Sequence, residues 1–181
     1  MRIALPLLIG SLVAGGMAVL GTPTADGQGR LRANVYLTQH RIPRNLSERG
    51  LLGFARRHNA RQLRETTAEP IPERKWRAEM ITSFNRPPGD LEYHILWYDI
   101  EDGARRFVRD MSTFVSDRSQ KTFVTRVNLP RGQGRAEGFQ PNRRYELVVT
   151  IRRAEVGRSQ VTLAGEEIAR SGEVTFGEDE R

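Results

Sequence analysis

The residues with the clearest chemical potential are seven arginines between positions 41 and 64. They are Arg41, Arg44, Arg49, Arg56, Arg57, Arg61 and Arg64. Glu48 is the single acidic residue in this stretch. A guanidinium donates two parallel hydrogen bonds to a phosphate or a carboxylate, so a row of guanidiniums can bind a polyanion. The four residues that we assign to a candidate polyanion-binding site are Arg56, Arg57, Arg61 and Arg64.

Two interpretations of this basic stretch are open. In the first, it binds lipopolysaccharide phosphates, an acidic polysaccharide or an anionic lipid. Phe54 is its only aromatic residue, which disfavours the base stacking that single-stranded nucleic acid requires. In the second, the arginines are a solvated helix face opposite an acidic tail, because exposed charge runs usually do no more than solvate a surface. The acids near the C-terminus are Glu166, Glu167, Glu173, Glu178, Asp179 and Glu180.

The other polar motifs do not form a catalytic, cofactor-binding or metal-binding pattern. The three histidines are His40, His58 and His94. None has a partner three or four residues away, which is the spacing of histidine ligands on a helix. Residues 132–138 carry three glycines but lead into Pro141 and a predicted strand, where a phosphate-binding loop needs a helix. Residues 99–103 lack the alternating carboxylates of a calcium loop and predict a hairpin turn instead. We therefore expect a protein that is not an enzyme and has no cofactor or metal.

The composition excludes several classes of protein. The 181 residues include 29 Lys+Arg and 22 Asp+Glu, a formal charge of +7, and only Lys75 and Lys121 of the 29 are lysine. A genome that favours arginine codons would give the same bias, so the bias alone does not indicate a function. The chain has no cysteine, which rules out a disulfide framework, a thiolate metal site and a cysteine nucleophile. The length is that of one domain with an ordinary core.

The N-terminus predicts export. After Met1 and Arg2, residues 3–20 are uncharged and apolar and are followed by small residues, as in a secretory signal peptide. We assign residues 1–21 to the signal, with cleavage near 21 or 27, and residues 22–32 to a linker. Export without cysteine favours the periplasm or the outer surface of a Gram-negative bacterium. The alternative is an uncleaved segment that anchors the chain in the inner membrane, since eighteen residues are just long enough to span it.

The sequence of the mature chain predicts one mainly β domain over residues 33–168, followed by an acidic tail over 169–181. Period-two patterns and turn residues predict strands at residues 34–38, 76–81, 91–100, 105–115, 121–129, 143–152 and 159–165. Ser47 can cap a helix over residues 47–64, on the rim or end of an antiparallel sandwich. At about 100° per residue, such a helix puts Leu63 on its apolar side with Ala55, and Arg57, Arg61 and Arg64 on the opposite side.

One segment resembles a known family. The pattern Phe139-x-Pro141-Asn142-x-x-Tyr145-x-Leu147-x-Val149 is similar to the signature of fibronectin type III and immunoglobulin-like sandwiches. The resemblance implies that Phe139 closes one end of the sandwich and that the Tyr145 hydroxyl bonds to backbone. It also implies that Trp97 is the central core tryptophan. Asn142 stands where glycine is usual, and the helix is foreign to the simplest form of the family. The family's domains are generally non-catalytic binding modules, and the resemblance carries no site residues.

These observations predict an exported, non-catalytic interaction module of the envelope or cell surface. Its expected partner is another protein or an anionic envelope polymer or lipid, with no nucleic acid and no identified small-molecule substrate. The alternative is a structural accessory subunit of a secretion, motility or surface assembly that contacts its partners through a sheet face. A third alternative is an enzyme whose motif is not recognisable in the sequence.

Overall fold

The computed structural model describes residues 30–89, 92–115, 117–132 and 138–167. The predicted signal peptide, both cleavage positions, most of the linker and the tail over 169–181 lie outside these residues. Among the residues that are described, no helix has the length and the apolar composition needed to cross a membrane.

Eight strands form two sheets, as the mainly β prediction requires. The strands are β1 (Ala33–Thr38), β2 (Gln62–Arg64), β3 (Lys75–Phe84), β4 (Glu92–Asp99), β5 (Arg106–Phe114), β6 (Thr122–Pro130), β7 (Arg143–Ile151) and β8 (Ala154–Ala164). One sheet has the order β1-β3-β6 and the other β2-β8-β7-β4-β5. Every pairing is antiparallel except that of β2 with β8. A single α-helix, α1 (Glu48–Arg57), and one 3₁₀ turn (Ile71–Glu73) complete the described structure.

The core contains side chains from both sheets. Trp76 of β3 and Trp97 of β4 are both fully buried, so the core has two central tryptophans where the sequence predicted one. The rings of Trp97 and Phe139 pack edge to face with their centroids 5.4 Å apart, and the centroids of the Phe139 and Tyr145 rings are 5.3 Å apart. Burial of each large apolar side chain contributes about 1.5–3 kcal/mol, so this aromatic group is a main source of stability.

The turn before β7 has the geometry that its sequence predicts. Asn142 has a φ of 58°, a left-handed conformation that asparagine tolerates. The buried Tyr145 hydroxyl accepts a hydrogen bond from the backbone N–H of Gln140 at 2.7 Å. Burial raises the pKa of Tyr145 to about 12, so the phenol keeps its proton at neutral pH.

The prediction of a helix over residues 47–64 is wrong in its second half. Ser47 does cap the helix, and its Oγ accepts from the Gly50 N–H at 3.3 Å, but the helix ends at Arg57. The chain then leaves the helix because two sheet edges offer it backbone hydrogen bonds. Ala60 donates to the Leu37 carbonyl of β1 at 2.7 Å, and Gln62–Arg64 pairs with β8. Leu63 is fully buried as predicted, but on a strand.

Helix α1 contacts both outer strands of the three-stranded sheet. The Glu48 carboxylate, in its first turn, accepts from the Thr122 hydroxyl at the start of β6. The residues after the helix bond to Leu37 of β1, on the opposite side of the same sheet. Ile81 of β3, the central strand of this sheet, is fully buried but does not belong to the main core cluster. A ten-residue helix, about 15 Å long, is sufficient to cross three strands about 4.8 Å apart.

Candidate functional site

The seven arginines at positions 41–64, here called the arginine segment, form an exposed and unpaired basic surface. Every one of them is exposed. Within the part of the chain that the structure describes, none lies in an ion pair with a carboxylate. Glu48, the only acid of the segment, is turned towards Thr122, whose hydroxyl lies 2.8 Å from its carboxylate oxygen. The positive charge of the segment therefore faces solvent.

Helix α1 fixes three of these arginines on one side. Phe54 and Ala55 are buried, and they hold the opposite side of the helix against the sheet. At about 100° per residue, the side chains that point away from Ala55 include Arg49, Arg56 and Arg57. Gly53 lies among them and adds no side chain that would shield the guanidiniums. The result is a basic ridge with a rigid base.

Strand β2 fixes two more arginines, by backbone contacts that the helix prediction did not contain. The side-chain amide of Gln39 accepts from the Arg64 N–H and donates to the Arg64 carbonyl, both at 2.8 Å. The Arg61 carbonyl accepts from the Thr162 N–H at 2.9 Å. Leu63 inserts into the core between them. The predicted helical face of Arg57, Arg61 and Arg64 is thus wrong, but all four candidate site residues are exposed on two adjoining, well-anchored elements.

Many arginines outside the segment have a different environment. Those that lie within 4.0 Å of a described carboxylate include Arg74, Arg77, Arg105, Arg106, Arg126, Arg131, Arg143, Arg144 and Arg158. All of them lie outside the arginine segment. A codon preference can set how many arginines the chain contains, but it does not explain why seven arginines without a carboxylate partner among the described residues lie together at positions 41–64.

The Asp99 cluster is the clearest example of paired arginines. The Asp99 side chain is 1% exposed and lies 2.7 Å from Arg143 Nε and 3.0 Å from Arg106 Nη2. Burial opposes ionisation of Asp99. The hydrogen bond from the Glu101 N–H and the two guanidiniums outweigh it, so the pKa of Asp99 lies below its ordinary value. The hairpin predicted at residues 99–103 is present, with Gly103 at a φ of 82°. It closes a structural ion cluster.

The described acids of the C-terminal region do not cover the arginine segment. Glu166 lies 2.9 Å from Arg74, and its backbone carbonyl accepts from Arg131. Glu167 accepts from the Asn142 side-chain amide at 3.2 Å. The four acids further along the tail, at residues 173–180, lie outside the described residues.

The histidines do not create a metal site in the described part of the chain, where no group of three or more potential ligands is found. The rings of His40 and His58 are 4.7 Å apart, and His58 also meets Phe54 at 4.5 Å. This ring cluster packs at the C-terminal end of α1. His94 lies elsewhere, with Nδ1 at 3.1 Å from the Asp110 carboxylate.

Known proteins do not identify a function for this surface. Comparison finds no matching family model, no matching curated protein and no matching solved structure. The exposure, charge and anchoring of the arginine segment are therefore the basis on which a function is inferred.

Proposed function

We propose that this protein is a non-catalytic interaction module of the bacterial envelope that binds an anionic polymer or lipid through the arginine segment. One observation carries the proposal. The arginines of the segment are exposed and have no carboxylate partner among the described residues, whereas arginines such as Arg131 and Arg143 are paired. A charge that is not used inside the molecule is available to a ligand outside it.

The physical basis is electrostatic attraction together with bidentate hydrogen bonding. Each exposed guanidinium can contact one phosphate, sulfate or carboxylate of a polymer or of a lipid surface. A polyanion that binds several of them releases its condensed counterions, so the affinity falls steeply with salt concentration. Because α1 and β2 are anchored to the sheets, little backbone conformational freedom is lost when the ligand binds.

We assign the scaffold to the immunoglobulin-like sandwiches, in the form found in fibronectin type III domains. Apart from the short β2, the two sheets have the orders β1-β3-β6 and β8-β7-β4-β5, which correspond to the strand arrangement of that family. The bond between Tyr145 and the backbone of Gln140 supports the same assignment. The helix α1 and the strand β2 are additions to this scaffold, and they carry the basic surface.

The proposed location is the periplasm or the outer surface of a Gram-negative cell. The apolar residues 3–20 support export. In that location anionic polymers and lipid headgroups are abundant, and nucleic acid is not an expected partner. A salt-insensitive protein partner with fixed stoichiometry would instead favour the accessory-subunit alternative.

The test compares two double charge reversals in the purified chain. In one, Arg61 and Arg64 are changed to Glu. In the matched control, Arg118 and Arg153, which are exposed and lie outside the segment, are changed to Glu. Binding is measured against dextran sulfate and against vesicles containing phosphatidylglycerol, over a range of salt concentrations. The two probes distinguish a polymer ligand from a lipid ligand.

We expect binding by the unaltered chain to weaken with rising salt. The slope of the logarithm of the affinity against that of salt concentration should fall by roughly one per arginine lost from the site, and much less in the control. Equal losses in both variants would mean that only net charge matters. No binding to either probe at low salt would refute the proposed function.

A further inference from the structure

Strand β5 is an open edge of the five-stranded sheet. It pairs with β4 through Arg106–Phe114, and no described strand pairs with its other side. At nine residues it is longer than most strands, and its outer backbone groups have no sheet partner in the part of the chain that the structure describes. Natural proteins usually shorten or cover such an edge, because it is a template for another strand.

The same strand carries two of the most exposed apolar side chains of the described structure. Phe114 is 74% exposed and Phe107 is 56% exposed. The other exposed large apolar residues, Leu46 and Val124, are smaller and lie on separate elements. Aromatic rings beside an open edge indicate that β5 contacts a protein strand, because a polyanion would not desolvate them.

A second copy of the same strand fits this edge. In a two-fold antiparallel pair, equivalent faces of the two strands lie on the same side of the sheet, so one residue faces its own copy at the centre. Centring on Arg109 or Asp110 would oppose like charges. Of the registers that avoid this, the one centred on Met111 pairs the largest number of β5 residues. It places Asp110 of each copy opposite Ser112 of the other. The carboxylate can then accept a hydrogen bond from the serine hydroxyl, and this pair occurs twice in the dimer.

This register also brings a charged residue opposite Thr113. The Oγ1 of Thr113 is buried and has no hydrogen-bond partner among the described residues. Arg109 is exposed and forms no ion pair with any of them. With Met111 at the centre, Arg109 of one copy stands opposite Thr113 of the other, on the same face of the joined sheets. Because the chain itself covers this oxygen, the Thr113 side chain has to rotate before it can accept a hydrogen bond from that guanidinium.

From this geometry we infer that the chain forms a two-fold dimer by antiparallel pairing of β5 with β5, centred on Met111. The five-stranded sheets of the two copies then form one continuous sheet. This inference is independent of the proposed function, because the arginine segment is carried by other elements. If both hold, the dimer presents two basic surfaces to one polyanion, which strengthens binding by avidity.

The absence of cysteine in this chain makes a direct test simple. Met111→Cys should place two thiols opposite each other at the dimer centre, within reach of a disulfide. Val124→Cys, which is exposed on the edge strand β6, is the matched control. Under mild oxidation at micromolar concentration, we expect a covalent dimer of the Met111→Cys chain and monomer of the control. Monomer in both variants, or equal dimer in both, would overturn the inference.

A charge test measures the register without a covalent bond. Ser112→Asp puts two carboxylates opposite two others, whereas Ser112→Lys puts an ammonium opposite each Asp110. Sedimentation velocity should show the dimer dissociation constant rising about three- to tenfold in Ser112→Asp and falling in Ser112→Lys. The same pair of changes at exposed Asn128 of β6 should leave it unchanged. Shifts of the same sign at Ser112 would refute the register, and a monomer at all concentrations would refute the dimer.

Discussion

The Asp99 cluster and the arginine segment use the same residue type in two different ways. At Asp99, a carboxylate with 1% exposure holds Arg143 and Arg106, and the guanidiniums fix the β4–β5 hairpin against β7. In the arginine segment, the backbone holds the elements in place and the guanidiniums face solvent. In the first region the charge stabilises the fold, and in the second it is available to bind a ligand. Arginine content alone therefore does not indicate a role, whereas a buried carboxylate partner indicates a structural one.

The largest effect should come from removing the carboxylate of the first region. Asp99→Asn leaves Arg143, only 24% exposed, without its main partner, so we expect the free energy of unfolding to fall by about 3 kcal/mol. Urea denaturation at pH 7 measures this change in the free energy of unfolding. Asp102 bonds to the same arginine but is 78% exposed, so Asp102→Asn should cost less than about 1 kcal/mol. Similar losses in both variants would show that burial is not what makes the Asp99 cluster strong.

A smaller effect, with a defined sign, is expected on lowering the pH. The pKa of Asp99 in the folded chain is below its ordinary value, so its stabilisation is complete above the unfolded pKa of about 3.9. It is lost as the pH falls through the folded pKa. The free energy of unfolding of the unaltered chain should therefore approach that of Asp99→Asn below about pH 4. Hydrogen bonds from Ser119 also lower the pKa of Asp117, but this contribution is common to both proteins and cancels in the difference.

The strands were predictable where alternation and turn chemistry agree, and the exceptions have physical causes. The left-handed turn position suits the residue type of Asn142, and the bond of Tyr145 to backbone was implied by the family resemblance. The β7–β8 hairpin was harder, since the last strand was predicted from residue 159 and begins at Ala154. Its two turn residues, Arg152 and Arg153, have φ values of 49° and 66°, where asparagine and glycine are usual. The sequence therefore lacked the residues that normally indicate a two-residue hairpin turn at this position.

The candidate site was predictable in composition and not in geometry. Seven arginines and one acid are visible in the sequence, and so is the helix cap at Ser47. That Leu63 belongs to a strand is not visible, because its spacing from Ala55 also suits a helix. Whether residues 62–64 form a helix or a strand depends on the edge of β8 and on the Gln39 side chain that binds Arg64. Both are distant from this segment in sequence. Whether a charged residue has a partner is likewise a property of the fold.

The smallest effect, and the most direct test of the comparison, comes from exchanging arginine for lysine in both regions. Arg143→Lys keeps the charge but loses the contacts with two carboxylates, so the free energy of unfolding should fall by about 1–2 kcal/mol. The same exchange at all four candidate site residues should change it by less than about 0.5 kcal/mol, because these side chains are exposed and form no ion pair with a described carboxylate.

For the four candidate site residues, the informative measurement is binding to dextran sulfate. Lysine keeps the charge, so the salt dependence should stay the same. The affinity should fall by roughly two- to fivefold, because an ammonium is a point charge without the bidentate geometry. An unchanged affinity would show that the segment acts through charge alone, and its arginines would then be a codon preference on a functional surface. A loss of stability equal to that of Arg143→Lys would contradict the division of the arginines into two roles.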